Sequence, residues 1–161
     1  MRPINVNLWI NDGRIQEAVD HWVSLFPDSR IVSSTPYGDD AGPLSGQPMA
    51  VVFELQGQAC TAINGGDTRF EPNESVSLAV PCDTQDEIDR LWAGLTDGGK
   101  AGPCGWLSDR YGFAWQVYPA SLDAYLDDPE KAPRAVAYFM TLDGVPFSVA
   151  DLEAAVRGEA G

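Results

Sequence analysis

The order of apolar and polar positions repeats along this chain of 161 residues. Residues Ile4 to Gly65 and Val76 to Pro119 each contain a short apolar strand, then a helix with one apolar face, then further strands. Alternation along the strands turns every second side chain towards one face of a small sheet, and several of these side chains are polar. The pattern predicts two half-sites that together line one cupped pocket.

The first half predicts one helix and four strands. Apolar residues recur at spacings of three and four from Ile15 to Phe26, which indicates a helix that Pro27 ends. The polar segment Tyr37 to Pro48, rich in Gly, Asp, Pro and Ser, is either a functional lid or a disordered loop. The predicted strands are Val6–Ile10, Ser29–Pro36, Met49–Leu55 and Ala59–Asn64, the last two joined by the hairpin connection Gln56-Gly57-Gln58.

The second half repeats this order and is followed by a helical tail. Asp83 or Thr84 caps a predicted helix whose apolar face ends at Gly98-Gly99. The predicted strands are Val76–Cys82, Cys104–Leu107 and Phe113–Tyr118, and the predicted tail helices are Ala120–Leu126, Glu130–Met140 and Val149–Arg157, the last with Phe147 and Ser148 as staple and cap. We expect the tail helices to pack on the outside of the sheets or on a partner subunit.

The linker between the halves, Phe70 to Ser75, is too short to separate independent domains. We therefore predict a single domain over residues 1–161, with a first module at 4–66, a second module at 75–119 and a tail at 120–161.

Composition excludes several classes of function. The chain is 44% apolar and 21% charged, as in ordinary globular proteins. Its net charge of -14 argues against binding to nucleic acid or to an anionic membrane. No segment approaches the roughly 18 apolar residues of a membrane span, so we expect a cytoplasmic protein with no membrane partner. The three cysteines, in neither CxxC nor CxxH spacing, favour reduced thiols over disulfides or zinc: Cys60, Cys82 and Cys104.

Several short motifs together resemble one protein family. They are Leu8–Ile10, Ser24–Arg30, Ala62–Gly66, Ser75–Leu78, Cys82–Gln85, and Cys104–Gly112 followed by Trp115-Gln116. This set is similar to the PhnB-like branch of the vicinal oxygen chelate superfamily, which includes glyoxalase, extradiol dioxygenases and bleomycin-resistance proteins. The resemblance covers roughly residues 4 to 155. It implies an α+β fold of paired βαβββ modules, a curved mixed sheet around a pocket, and commonly a homodimer.

Members of this branch often carry the name 3-demethylubiquinone-9 3-methyltransferase. A methyltransferase of the common kind needs a Gly-rich turn from a strand into a helix to hold its nucleotide-like cofactor. Gly65-Gly66 follows a predicted strand but leads into no predicted helix. We therefore do not expect methyl transfer.

The resemblance also implies a divalent metal held by His and Glu side chains on the inner strands. The residues at the corresponding positions here are Asn5 or Asn7, Asn64, Ser77 and Gln116. Amide and hydroxyl oxygens bind first-row metals weakly compared with imidazole or carboxylate groups. We therefore expect no tightly bound metal and no cofactor, and keep a divalent metal as the less favoured alternative.

The same amides and hydroxyl suit a different task, because they donate and accept hydrogen bonds to a polar small molecule. Trp9 shares strand parity with Asn5 and Asn7 and is predicted to line the pocket, whereas Trp115 lies on the opposite face from Gln116. The alternative is structural: Asn64 merely ends a strand, and Gln116 is a satisfied core amide.

Two side chains remain as candidates for a reacting group, Glu54 in an apolar strand and Cys60. The lone histidine, His21, is expected on the first helix as a surface or half-buried residue. The leading hypothesis is a homodimer that binds a small organic molecule. The rival is an enzyme, either metal-dependent, of the isomerase, lyase, dioxygenase or thiol transferase type, or metal-free through Glu54 or Cys60. A dimerisation module is the third hypothesis, if indoles fill the pocket.

Overall fold

The computed structural model describes residues 4–11, 13–65 and 71–159. The chain divides into two compact units, residues 1–71 and 72–161, and the boundary falls in the predicted linker. Each unit contains the order β-α-β-β-β and a four-stranded mixed sheet, which confirms the predicted α+β class and its two modules. None of the described helices combines the length and the apolar character needed to cross a bilayer.

The first unit has its strands in the order β1-β4-β3-β2. Strand β1 runs parallel to β4, and the other neighbouring pairs are antiparallel. Its elements are β1 (Val6–Ile10), α1 (Ile15–Leu25), β2 (Arg30–Pro36), β3 (Pro48–Leu55) and β4 (Gln58–Asn64).

Helix α1 covers one face of the first sheet. Its apolar stripe is fully buried, and Trp22 stacks on Phe53 of β3 with ring centroids 5.9 Å apart. In the strand register Phe53 lies opposite Cys60, and Leu8 lies opposite Ala62, so these side chains share the helix-covered face. The other face is the open face of the first sheet.

Two connections in the first unit follow from backbone chemistry. Gln56 and Gly57, between β3 and β4, both have positive φ angles, 47° and 84°, as a two-residue hairpin of type I′ requires. The segment predicted as a lid or a disordered loop closes on itself, since Tyr37 N donates to Gln47 O at 2.9 Å and Gly46 N to Tyr37 O at 3.3 Å. It contains a 3₁₀ turn at Gly42–Leu44. The lid function stays a prediction.

The second unit has its strands in the order β5-β8-β7-β6, with β5 parallel to β8. Helix α2 packs its apolar residues on the sheet, and α4 contacts both α3 and α5. The elements are β5 (Ser77–Cys82), α2 (Gln85–Thr96), β6 (Lys100–Ala101), β7 (Trp106–Ser108), β8 (Ala114–Pro119), α3 (Ser121–Leu126), α4 (Ala132–Phe139) and α5 (Val149–Arg157).

The structure decides between the two caps left open for α2. Thr84 accepts from the Glu87 main-chain N–H at 3.3 Å, and the Glu87 carboxylate accepts from Thr84 N at 3.1 Å, which forms a capping box. Ser148 caps α5 as predicted, by accepting from Asp151 N at 3.2 Å.

The predicted start of β7 is wrong by two residues, whereas the other predicted strand ends lie within one residue of those observed. Cys104 and Gly105 do not begin a strand but form a turn with φ angles of 55° and 80°, and β7 begins at Trp106. Left-handed backbone cannot continue a β ladder, so the paired segment starts one residue after the glycine. The strand β6 was not predicted, because its two residues are too few to show an alternation of apolar and polar side chains.

Candidate functional site

A cavity of about 340 Å³ lies on the open face of the second sheet, between strands β5, β7 and β8 and the tail helices. We call it the tail cavity. Its described lining residues are Ala79, Cys104, Trp106, Gln116, Tyr118, Leu122, Asp123, Leu126, Phe139 and Phe147.

Strand register explains why these sheet residues meet. Gln116 of β8 lies opposite Ala79 of β5 and Trp106 of β7, so the three side chains leave the same face of the sheet. Trp115, the next residue along β8, turns to the α2 side and is 1% exposed, as the alternation predicted. The open face therefore presents a row of one methyl group, one amide and one indole.

Gln116 is held in place by a second predicted site residue. Its Nε2 donates to the Ser77 hydroxyl oxygen at 2.7 Å. Both side chains are half-buried, and in the register Ser77 pairs with Ala114, on the same face as Gln116. The structure thus brings together the two predicted site residues of the second module.

The tail contributes five of the ten described lining residues. Phe139 and Phe147 meet with ring centroids 6.5 Å apart and planes tilted by 54°, and Phe147 is 1% exposed. The Phe147 ring packs directly over Gly105, where an added Cβ would lie 2.5 Å from its Cε2 atom. The tail thus packs over the face of the second sheet that carries Gln116, which was the predicted pocket face.

Two oxygen-bearing side chains in the cavity interact electrically. Burial raises the pKa of the Tyr118 hydroxyl above its ordinary value, and the negative charge of Asp123 raises it further. Tyr118 is therefore a neutral hydrogen-bonding group at physiological pH, and it lies within the field of the Asp123 carboxylate.

The predicted site residues of the first module divide between two faces. Asn7 and Trp9 lie on the open face of the first sheet, opposite Thr61 and Ile63 of β4. Asn5 precedes β1, and its Nδ2 donates to the Thr61 hydroxyl oxygen at 2.7 Å. The three predicted residues of this first edge strand therefore share one face.

Asn64 does not share that face. It lies opposite Ile10, on the side that α1 covers, and is 1% exposed. Its Nδ2 donates to Pro48 O at 3.2 Å, and its own carbonyl accepts from the Tyr37 hydroxyl at 2.6 Å. The expectation that Asn64 lines the same pocket as Asn7 does not fit this geometry: the side chain fastens the end of β4 to Pro48, the first residue of β3.

Cys60 shares the covered face, because it lies four residues before Asn64 on the same strand, opposite Val6. It is fully buried, and burial raises the pKa of its thiol to about 11. A nucleophilic cysteine needs the thiolate, so this environment does not suit the reacting role considered for Cys60.

Glu54 lies on the open face of the first sheet, opposite Ala59 of β4. Its carboxylate forms an ion pair with Arg30 of β2 at 2.7 Å, and its side chain is 29% exposed. The pairing gives the acid a cross-strand structural role, and its reacting role stays a prediction.

The residues at the superfamily's ligand positions do not fit a divalent metal. Asn64 points away from Asn7, while Gln116 and Ser77 are bound to each other. Over residues 4–11, 13–65 and 71–159, no group of three His, Cys, Asp or Glu side chains is arranged to hold a metal ion. Neutral oxygens alone do not offset the charge of a dication.

Sequence reasoning missed most of the cavity's walls. Tyr118 follows Gln116 by two residues, so strand alternation alone could have placed it. Asp123 begins an acidic run that ends at Glu130, a pattern typical of a solvated surface, and Phe147 was assigned to a helix staple. Nothing in the local pattern indicates that these two residues meet Gln116.

Comparison with known proteins covers the two modules. Residues 3–118 match the family described as 3-demethylubiquinone-9 3-methyltransferase. No curated protein matches the chain. A PhnB protein from Bacillus cereus is 30% identical, with a TM-score of 0.67 over 73% of this chain and 99% of that one.

More distant structures share the fold. A protein from Pseudomonas aeruginosa is 22% identical, with a TM-score of 0.59 over 74% of this chain and 98% of that one. The fosfomycin resistance protein FosX from Listeria monocytogenes is 13% identical, with a TM-score of 0.53 over 79% of this chain and 98% of its own. The chain thus belongs to the PhnB-like 3-demethylubiquinone-9 3-methyltransferase family, within the vicinal oxygen chelate superfamily.

Proposed function

We propose that this protein binds a small organic molecule in the tail cavity, without a tightly held metal. The observation that carries the proposal is the combination of a cavity of about 340 Å³ with apolar walls and one anchored amide. Small-molecule sites have volumes of roughly 300–1,000 Å³, mostly apolar linings and a few placed polar groups. The tail cavity meets each of these criteria.

Gln116 supports the proposal through its hydrogen-bonding capacity. A primary amide has two N–H donors and a carbonyl acceptor, and the bond to Ser77 uses one donor. The remaining groups can fix the orientation of a ligand while the indole of Trp106 and the ring of Tyr118 contact its apolar part. The contacts of the predicted site residues in the first module, by contrast, are mainly structural, as Asn64 and Glu54 illustrate.

Methyl transfer, which the family's name suggests, is not the function we propose. The common methyltransferase cofactor site needs a Gly-rich turn from a strand into a helix. Here β5 leads into α2 through Asp83-Thr84, and the segment between β1 and α1 contains one glycine, Gly13. Neither connection suits a nucleotide-like cofactor.

We also propose that the protein is a homodimer, as its family resemblance implies. Several apolar side chains of the first unit are substantially exposed, including Trp9 at 43% and Val32 at 52%. A second copy of the chain would cover such surface at a gain of free energy.

A cavity-filling variant tests the proposed binding. Ala79 is exposed on β5 and lines the cavity, so Ala79→Leu should occupy its volume without disturbing the α2 side. Ala93→Leu, on the exposed face of α2, is the matched control. Small aromatic molecules would be screened against wild-type protein by ligand-observed NMR. We expect hits that bind wild type and Ala93→Leu but lose at least about tenfold in affinity with Ala79→Leu.

Hits that bind all three proteins equally would place the ligand elsewhere and overturn the proposal. Native mass spectra after dialysis with zinc, nickel, manganese or iron(II) test the metal-free part. One metal ion per chain that survives dilution would contradict it and favour the rival, a metal-dependent enzyme of the superfamily.

A further inference from the structure

The tail cavity has one charged side chain, and it is an acid. Among its described lining residues Asp123 is the only carboxylate, and none is Lys, Arg or His. Lys131, the first cation after Asp123 along the chain, has another partner, since its Nζ lies 2.8 Å from the Asp128 carboxylate. An anion entering the cavity would therefore meet a negative charge with no lining cation to offset it, whereas a cation would be attracted.

Asp123 is itself exposed, so its carboxylate lies at the mouth of the cavity, whose walls are aromatic. Four of its described lining residues carry aromatic rings: Trp106 and Tyr118 from the sheet, and Phe139 and Phe147 from the tail. The two phenylalanine rings meet at a 54° tilt, so their planes are not parallel. Aromatic faces attract cations through the ring quadrupole, most strongly with indole.

The carboxylate's field reaches the floor of the cavity. The charge of Asp123 contributes, after burial, to the raised pKa of the Tyr118 hydroxyl. The whole chain adds to the same sign of potential, because its net charge is -14. The local and the long-range electrostatics thus favour the same class of ligand.

The acid and two of the four aromatic rings of the cavity come from the tail. The family match ends at residue 118, whereas Asp123, Phe139 and Phe147 follow it. The relative from Bacillus cereus likewise aligns over 73% of this chain while 99% of its own length is covered. The charge and half of the aromatic wall are therefore additions to the shared modules.

We infer that the tail cavity takes an organic cation, a protonated amine or quaternary ammonium carrying a small apolar or aromatic body. This inference rests on the proposed function and names its ligand class. Asp123 pairs with the positive charge, the four rings enclose the cationic head and the body, and Gln116 hydrogen-bonds to any polar substituent.

Three probes with one phenyl ring and different charge test the inference by isothermal titration: benzyltrimethylammonium, benzyl alcohol and benzoate. We expect benzyltrimethylammonium to bind at least about tenfold more tightly than benzoate. Asp123→Asn should weaken the cation about fivefold to tenfold and leave benzyl alcohol within about twofold. Asp127→Asn is the control, because it removes the same net charge from an exposed residue that does not line the cavity.

Asp123→Glu guards against a folding defect, since it keeps the charge and should keep most of the cation affinity. The inference is overturned if benzoate binds most tightly, or if Asp127→Asn weakens the cation as much as Asp123→Asn does. Binding of benzyl alcohol that Ala79→Leu abolishes, with no preference for the cation, would overturn the ligand class and leave the proposed function standing. Failure of all three probes, together with failure of the aromatic screen, would overturn both.

Discussion

At the scale of single residues, the buried carboxylate of Asp109 holds the turn before β8 in place. Asp109 opens the turn between β7 and β8, where its carbonyl accepts from Gly112 N, yet it is only 3% exposed. Its carboxylate accepts from Tyr111 N at 2.9 Å, Phe113 N at 3.0 Å and the Trp115 indole at 2.9 Å. Charge-assisted bonds to three donors offset the cost of burying the acid. They also fix the start of β8, which carries Gln116 into the cavity.

At the same scale, the buried thiols make stability depend on pH. Burial raises the pKa of Cys60 and of Cys82 from 9.0 to about 11. In the unfolded chain these thiols lose protons from about pH 9, while the folded protein keeps them. The unfolded state then binds fewer protons, so the free energy of unfolding should fall by about 1–3 kcal/mol per thiol as the pH rises from 9 to 11.

Urea unfolding followed across this pH range measures the effect. The double variant Cys60→Ala/Cys82→Ala should be less stable at neutral pH, because two buried side chains are shortened, but its stability should fall less steeply above pH 9. Cys104, which is half-buried, is kept in both proteins. Equal slopes for the two proteins would contradict the assignment to Cys60 and Cys82.

At the scale of elements, the turn between β6 and β7 is where Phe147 of the tail packs. Gly105 has a φ angle of 80°, and an added Cβ would lie 2.5 Å from Phe147 and 2.9 Å from the Val117 carbonyl oxygen. Gly105→Ala should therefore combine backbone strain with displacement of the Phe147 ring. We expect a loss of about 2–4 kcal/mol in unfolding free energy and weaker binding in the tail cavity.

Gly144→Ala is the matched control for this prediction. Gly144 also has a positive φ, 69°, but nothing lies within 4 Å of an added Cβ. The Gly144→Ala variant should therefore lose unfolding free energy only through backbone strain, about 1–2 kcal/mol, and its ligand affinity should be unchanged. Denaturant unfolding and titration of the same two variants check both parts. Equal losses in stability and affinity would show that the contact with Phe147 does not matter.

At the scale of the whole molecule, the charge and the proposed dimer oppose each other. Each chain has a net charge of -14, so two chains repel at low ionic strength. If exposed apolar side chains form the interface, salt should screen the repulsion and strengthen association. We expect sedimentation velocity to show a species of twice 17.4 kDa whose fraction rises as salt increases from about 0.02 M to about 0.5 M.

A fixed mass of 17.4 kDa at every salt and protein concentration would contradict the homodimer. Dissociation by added salt would instead indicate an interface built on ion pairs, which the apolar exposure of Trp9 and Val32 does not suggest. Both outcomes are distinguishable in one concentration series.

Much of the fold could be predicted because its signals are local. The spacing of apolar residues in α1 and α2, and the cap at Ser148, are properties of neighbouring positions. The two-residue turn at Gln56-Gly57 needs positive φ, which glycine adopts readily. The same local alternation correctly separated Trp115 from Gln116.

Which face of the sheet a set of alternating side chains occupies is not a local property of the sequence. Alternation placed Cys60 and Asn64 together, but the side on which α1 packs decides whether that face is covered or open. Because Trp22 of α1 packs on Phe53, the face that carries Cys60 and Asn64 is the covered one, and both of these side chains are buried.

The sequence by itself determined the order of elements, the two modules, the family and the chemical types available for binding. The tertiary structure alone decided that Asn64 fastens a strand, and that Gln116 meets Asp123 and Phe147 in one cavity. The reason is physical: hydrogen-bonded helices and turns are set over a few residues, whereas a cavity forms where segments distant in the chain pack against each other.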